Sequence, residues 1–109
     1  MSNTESGTFR TLDASENLPD NYVNPYYLED RKHRVSVARV EGALYAFDDL
    51  CTHEACPLSA GLLTGKTLMC QCHGSQFDVT NGSVLRGPAT EPLNTYPVRE
   101  QSGEIQVEI

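Results

Sequence analysis

The sequence predicts an all-β fold, a sandwich or barrel of short strands, on three observations. Short runs rich in Val, Leu, Ile, Tyr and Phe recur along the chain. Turns rich in Gly, Asn and Ser separate them. No stretch carries the 3.6-residue apolar period that a major helix needs. Strands of this kind bury their apolar faces by stacking or closing sheets.

Residues 1–8 are mostly Ser, Asn, Thr and Glu and are expected to form a flexible N-terminal tail, leaving 9–109 as one domain. A first strand is expected at Phe9–Leu12. Asn17, Pro19, Asp20, Asn21 and Pro25 then break anything longer before Tyr27. Arg31-Lys32-His33-Arg34, the only dense basic run, reads as a solvated turn into the first hairpin strand; a docking contact for an acidic partner is the sharper alternative. His33 has no Cys or second His nearby in sequence and is not counted as a ligand. Val35–Val40 and Ala43–Phe47 flank Glu41-Gly42, the pattern of a hairpin. Later strands are expected at Leu68–Cys70, Gln76–Val79, Val84–Leu85, Asn94–Arg99 and Ile105–Ile109, with turns at Thr80–Ser83 and Gln101–Gly103. Gly61, Gly65, Gly74 and Gly82 are expected to supply positive φ at turns. Leu58, Leu62 and Leu63 are expected to pack loop against core.

A chain of 109 residues has room for one compact domain and buries roughly two-thirds of its unfolded surface. Its 39% hydrophobic and 21% charged residues are ordinary for a globular protein. A net charge of −7 argues against nucleic acid or an anionic membrane as partner. No window approaches the apolar length of a membrane helix, and the opening residues lack a secretory pattern. A cytoplasmic location is therefore expected, and there four cysteines point to metal or redox chemistry before a disulfide scaffold.

That chemistry concentrates in Cys51-Thr52-His53 and Cys70-Gln71-Cys72-His73, sixteen residues apart. Each segment mixes thiol and imidazole. A structural zinc site usually draws its cysteines from one knuckle and its histidines from another. Blue copper would take two histidines, one cysteine and a weak methionine, and Met69 is adjacent, but the extra cysteine is left over. A catalytic Cys–His pair uses only one of each. A binuclear site, two sulfurs on one iron and two nitrogens on the other, uses both loops alike.

Cys51-Thr52-His53-Glu54-Ala55-Cys56-Pro57-Leu58, followed by Cys70-Gln71-Cys72-His73-Gly74-Ser75-Gln76-Phe77-Asp78, closely resembles the two cluster-binding loops of Rieske iron–sulfur proteins. Gly87-Pro88-Ala89 with Pro92-Leu93 resembles that family's third, proline-bearing loop. The resemblance, greatest to the small soluble Rieske ferredoxins, implies an antiparallel β-sandwich or barrel with a small subdomain of cluster-binding loops at about 48–91. It implies one [2Fe–2S] cluster per chain, with Cys51 and Cys70 on one iron and His53 and His73 on the other. Neutral nitrogen in place of two thiolates raises the potential, from about −400 mV into a range of roughly −150 to +300 mV. Cys56 and Cys72 match the pair that forms an inter-loop disulfide in respiratory members. Ser75 matches a donor to a bridging sulfide. Phe77 stands where high-potential members carry a donating tyrosine, which predicts a potential below theirs. Gly74 shapes the second loop, and Pro88 limits water at the cluster.

The function so implied is that of a one-electron carrier without substrate chemistry of its own. It would link a flavin-dependent ferredoxin reductase to a terminal Rieske non-haem iron oxygenase of the aromatic-ring-hydroxylating type. His53 and His73 would form the contact face, with Asp48, Asp49 and Glu54 as acids steering a basic partner. The alternatives are a small Rieske subunit of a larger nitrite-reductase or quinol-oxidising complex and, more remotely, a zinc-stabilised binding module.

Overall fold

A computed structural model of the chain describes residues 9–51 and 56–109; the expected tail at 1–8 lies outside them. The described residues form three antiparallel sheets. The first takes β1 (Phe9–Ala14), β11 (Glu104–Glu108) and β10 (Val98–Gln101) in that order. The second takes β2 (Tyr22–Leu28), β3 (His33–Val40), β4 (Ala43–Asp48) and β9 (Thr95–Tyr96). The third is smaller and takes β5 (Leu62–Thr64), β6 (Thr67–Met69), β7 (Gln76–Asp78) and β8 (Val84–Arg86). The only helical pieces described are 3-10 turns at Ser15–Asn17 and Leu58–Ala60.

β3 is the hub. Val35, Ser36, Val37 and Ala38 are all buried, as expected of a strand covered on both faces. Val37 packs with Leu18, Ala46, Ile105 and Val107 toward the first sheet. Ala38 and Val40 pack with Phe47, Leu58, Leu68, Phe77, Val79, Cys51 and Cys70 toward the third. Burying a side chain the size of Phe47 or Phe77 stabilises by roughly 1.5–3 kcal/mol. The expected hairpin closes at Glu41 and Gly42, whose positive φ values of 51° and 84° suit the twist of a two-residue turn.

Four details differ from expectation. Tyr22–Leu28 is a strand despite Asn24-Pro25; β2 lies at a sheet edge, where a missing amide proton is tolerated. Asn94–Arg99 is not one strand. It changes sheets at Pro97, with β9 paired to β4 and β10 to β11. Leu62–Thr64 forms β5 and leaves Leu62 56% exposed rather than packed, whereas Leu58 is fully buried. Gly61 has φ −82°, not a positive value. Its role is close approach, since a Cβ there would overlap the carbonyl oxygen of Met69. Gly65, Gly74 and Gly82 do have positive φ.

Candidate metal centre

Cys51 and Cys70 stand at strand exits, one after β4 and one directly after β6. They arrive from different loops and meet in one buried cluster, where burial pushes the Cys70 thiol up and the neighbouring Cys51 thiol adds to that rise. Both are sealed from solvent, 5% and 1% exposed. Their loops are held by short backbone bonds. Cys51 N–H donates to the Cys56 carbonyl (2.9 Å), Cys70 N–H to the Ser75 carbonyl (2.8 Å), and Gly74 N–H to the Cys70 carbonyl (3.0 Å). The 80° φ of Gly74 lets the second loop turn back toward β7.

Cys56 and Cys72 are joined by a disulfide across the two loops, with Cα atoms 6.5 Å apart. The sulfurs of Cys56, Cys70 and Cys72 all lie within 4.8 Å of one another, so the bridge packs against the Cys70 thiol. The two cysteines left as thiols, Cys51 and Cys70, are the buried pair. His73 lies exposed in the turn at 71–73, while His53 lies outside the described residues. A donor set of two buried soft sulfurs, with an exposed imidazole at the end of the second loop, fits a cluster of two irons and two inorganic sulfides.

Ser75 is buried, and its Oγ accepts the Ala89 N–H at 3.0 Å, tying the third loop to the second. An accepting hydroxyl keeps its own proton free to donate. Ala89 is buried, and Pro88 beside it is exposed. Phe77 is fully buried, paired with Leu68 on one side and Val84 on the other.

A Rieske [2Fe–2S] domain description matches residues 8–97 of the sequence. The chain belongs to the Rieske [2Fe–2S] family. A Rieske domain carries one such cluster. The ferredoxin component of the naphthalene 1,2-dioxygenase system of Pseudomonas aeruginosa is 37% identical over 75 residues, spanning 69% of this chain and 72% of that one. The ferredoxin component of the 2,4-dinitrotoluene dioxygenase system of Burkholderia sp. (strain RASC) is 37% identical over 70 residues, 64% of this chain and 67% of that one. Among solved structures, Sphingomonas yanoikuyae B1 ferredoxin superposes with a TM-score of 0.86 at 28% identity, covering 92% of this chain and 97% of that one. A chain from the complex of reduced oxygenase and oxidized ferredoxin in carbazole 1,9a-dioxygenase gives 0.86 at 29% identity, with 92% of each chain covered.

Two acids expected to steer a Rieske partner are committed elsewhere. Asp49 is fully buried, paired with Arg34 Nε at 2.7 Å. Asp48 accepts bonds from Tyr96 and Asn94 and contacts His33. Burial pushes the Asp48 carboxyl up, but those bonds outweigh it and leave it below the usual range. The third acid, Glu54, lies outside the described residues. Sequence reasoning missed the Asp49 network and the apolar surface beside the first loop, where Leu50 and Tyr27 are 43% and 59% exposed. The basic run is split in role: Arg31 and Lys32 are exposed in the turn, whereas Arg34 anchors Asp49.

Proposed function

We propose that residues 9–109 act as a single-domain electron carrier, taking single electrons from a flavin-dependent ferredoxin reductase. It delivers them to a terminal Rieske non-haem iron oxygenase of the aromatic-ring-hydroxylating type. The observation that carries this reading is the meeting of Cys51 and Cys70, thiols from two loops, in a Rieske domain whose relatives are ferredoxin components of dioxygenase systems. Cys51 and Cys70 would hold one iron, and His53 and His73 the other. When bound, the cluster supplies a one-electron couple raised in potential by its nitrogen ligands.

The rest is the work of the chain. The buried thiols keep water from the sulfur end, while the exposed His73 turn and the exposed side chain of Leu50 offer an apolar and imidazole surface for contact. Ser75, with its proton free, would donate toward the cluster, and the bond it accepts from Ala89 holds its hydroxyl oxygen in place. No residue is assigned bond-making chemistry, and the setting proposed is the cytoplasm. Among the described residues no helix is long and apolar enough to cross a membrane.

The Cys56–Cys72 bridge favours a second reading, a small Rieske subunit of a larger oxidoreductase. Co-purification in a stable complex would support that reading, and a free monomer exchanging electrons in rapid mixing supports the carrier. The direct test is an anaerobic reductive titration followed by visible absorbance. One electron per chain, with iron and acid-labile sulfide in equal amounts, is expected; a colourless protein holding zinc contradicts the proposal.

A further inference from the structure

We propose that Asp49 is the positioning residue of the first cluster loop, its carboxylate fixing where Cys51 stands and the charge felt there; this rests on the ligand assignment proposed above. Asp49 is 0% exposed, and a carboxylate so placed costs several kcal/mol unless its oxygens are bonded. They are. Oδ1 accepts the Ser36 hydroxyl at 2.7 Å and the Ser59 N–H at 2.7 Å. Oδ2 accepts Arg34 Nε at 2.7 Å and the Ser59 hydroxyl at 3.1 Å.

These donors come from two places. Arg34 and Ser36 are on β3, and Ser59 is on the far arm of the loop that carries Cys51 and His53. The backbone closes the same loop from inside, through Leu58 N–H to the Asp49 carbonyl (3.1 Å) and a bridge between Leu50 and Pro57. One side chain therefore gathers both arms and fastens them to the central strand of the core.

Stability alone is a weak reason for such a group, because apolar replacements of buried ion pairs are often neutral or stabilising. A carboxylate adds two things that an apolar side chain does not. Its charge-assisted bonds are directional, so they fix the loop's orientation and not only its closure. It also sets a negative charge two residues from a thiol. Arg34 is 43% exposed and shares its charge with solvent, whereas the Asp49 charge is screened little. Negative charge close to a redox centre opposes the arrival of an electron.

Two variants of the cluster-loaded protein separate these effects. Asp49→Asn should raise the midpoint potential in voltammetry and speed the bleaching of visible absorbance by an iron chelator several-fold. Ser59→Ala keeps the charge but loosens the loop, so it should bleach faster while holding the wild-type potential. A folded, coloured Asp49→Asn protein with wild-type potential and bleaching rate overturns the proposal, as does one changed only in thermal midpoint. If Asp49→Asn does not fold, Ser59→Ala decides: faster bleaching supports the proposal and an unchanged rate overturns it. A wild-type chain without a cluster contradicts the ligand assignment itself, before any variant is compared.

Discussion

At the scale of single residues, the site depends on a few side chains whose partners cannot be exchanged freely. Cys51→Ser or Cys70→Ser should abolish the visible spectrum and leave less than one equivalent of bound iron, as metal analysis would show. Ser75→Ala removes two things at once. The Ala89 N–H loses its buried acceptor, a cost of about 1–3 kcal/mol, and the sulfur side loses a donor. The expected result is a lower thermal midpoint together with a lower reduction potential; a fall in stability alone would assign Ser75 a packing role. The proposed ligand residues stand out in the sequence because mixed Cys and His spacing has few chemical uses. Asp49 was not, since adjacent Asp48 and Asp49 look equivalent in sequence and only the alternation of β4 and its exit sends one to a partly open site and the other inward.

At the scale of elements, the loops are set by turns that permit little else. Gly82 has φ 81°, a Cβ there would stand 2.6 Å from the Leu93 carbonyl oxygen, and the Leu93 N–H donates to the Gly82 carbonyl (2.8 Å), joining the turn after β7 to the third loop. Gly82→Ala should cost about 1–3 kcal/mol in denaturant unfolding. The Cys56–Cys72 bridge closes a separation of sixteen residues, for which chain entropy suggests ~3 kcal/mol. Reductant should lower the thermal midpoint accordingly, and an unchanged midpoint would show that the loops are held without it. The β3–β4 hairpin was legible from its apolar runs around Glu41-Gly42. β2 was not, because Pro25 argues against a strand everywhere except at an edge, and edge position is a property of the assembled sheet. The break at Pro97 is the reverse case: the run Asn94–Arg99 is β-prone throughout, and tertiary pairing divides it.

Across the whole molecule, two sheets and a smaller third one make the fold, and the loops leave the second sheet after β4 and the third after β6 and β8. Composition and the all-β pattern made this class legible. The division into three sheets was not, because strand order is set by long-range pairing such as β1 with β11. The acids add a stability trend. Asp48 and Asp78 both titrate below their usual range. Burial raises each, but bonds from Tyr96, Asn94 and His33 outweigh this for Asp48, as do those from Thr80 with the Lys66 charge for Asp78. A carboxylate depressed in the folded chain stabilises it above the unfolded value, near ~3.9, and that contribution disappears as pH falls through the lower folded value. The thermal midpoint should therefore drop most steeply below about pH 4, and Asp48→Asn should flatten that acid limb.

The central claim is that sulfur and nitrogen hold opposite ends of one diiron core. Pulsed EPR on the reduced protein reads this directly, because nitrogen bound to the ferrous side couples to the electron spin. The account predicts hyperfine coupling from two imidazole nitrogens, reduced to one by His73→Cys. A signal without nitrogen coupling, or no signal in a protein that holds iron, would contradict it.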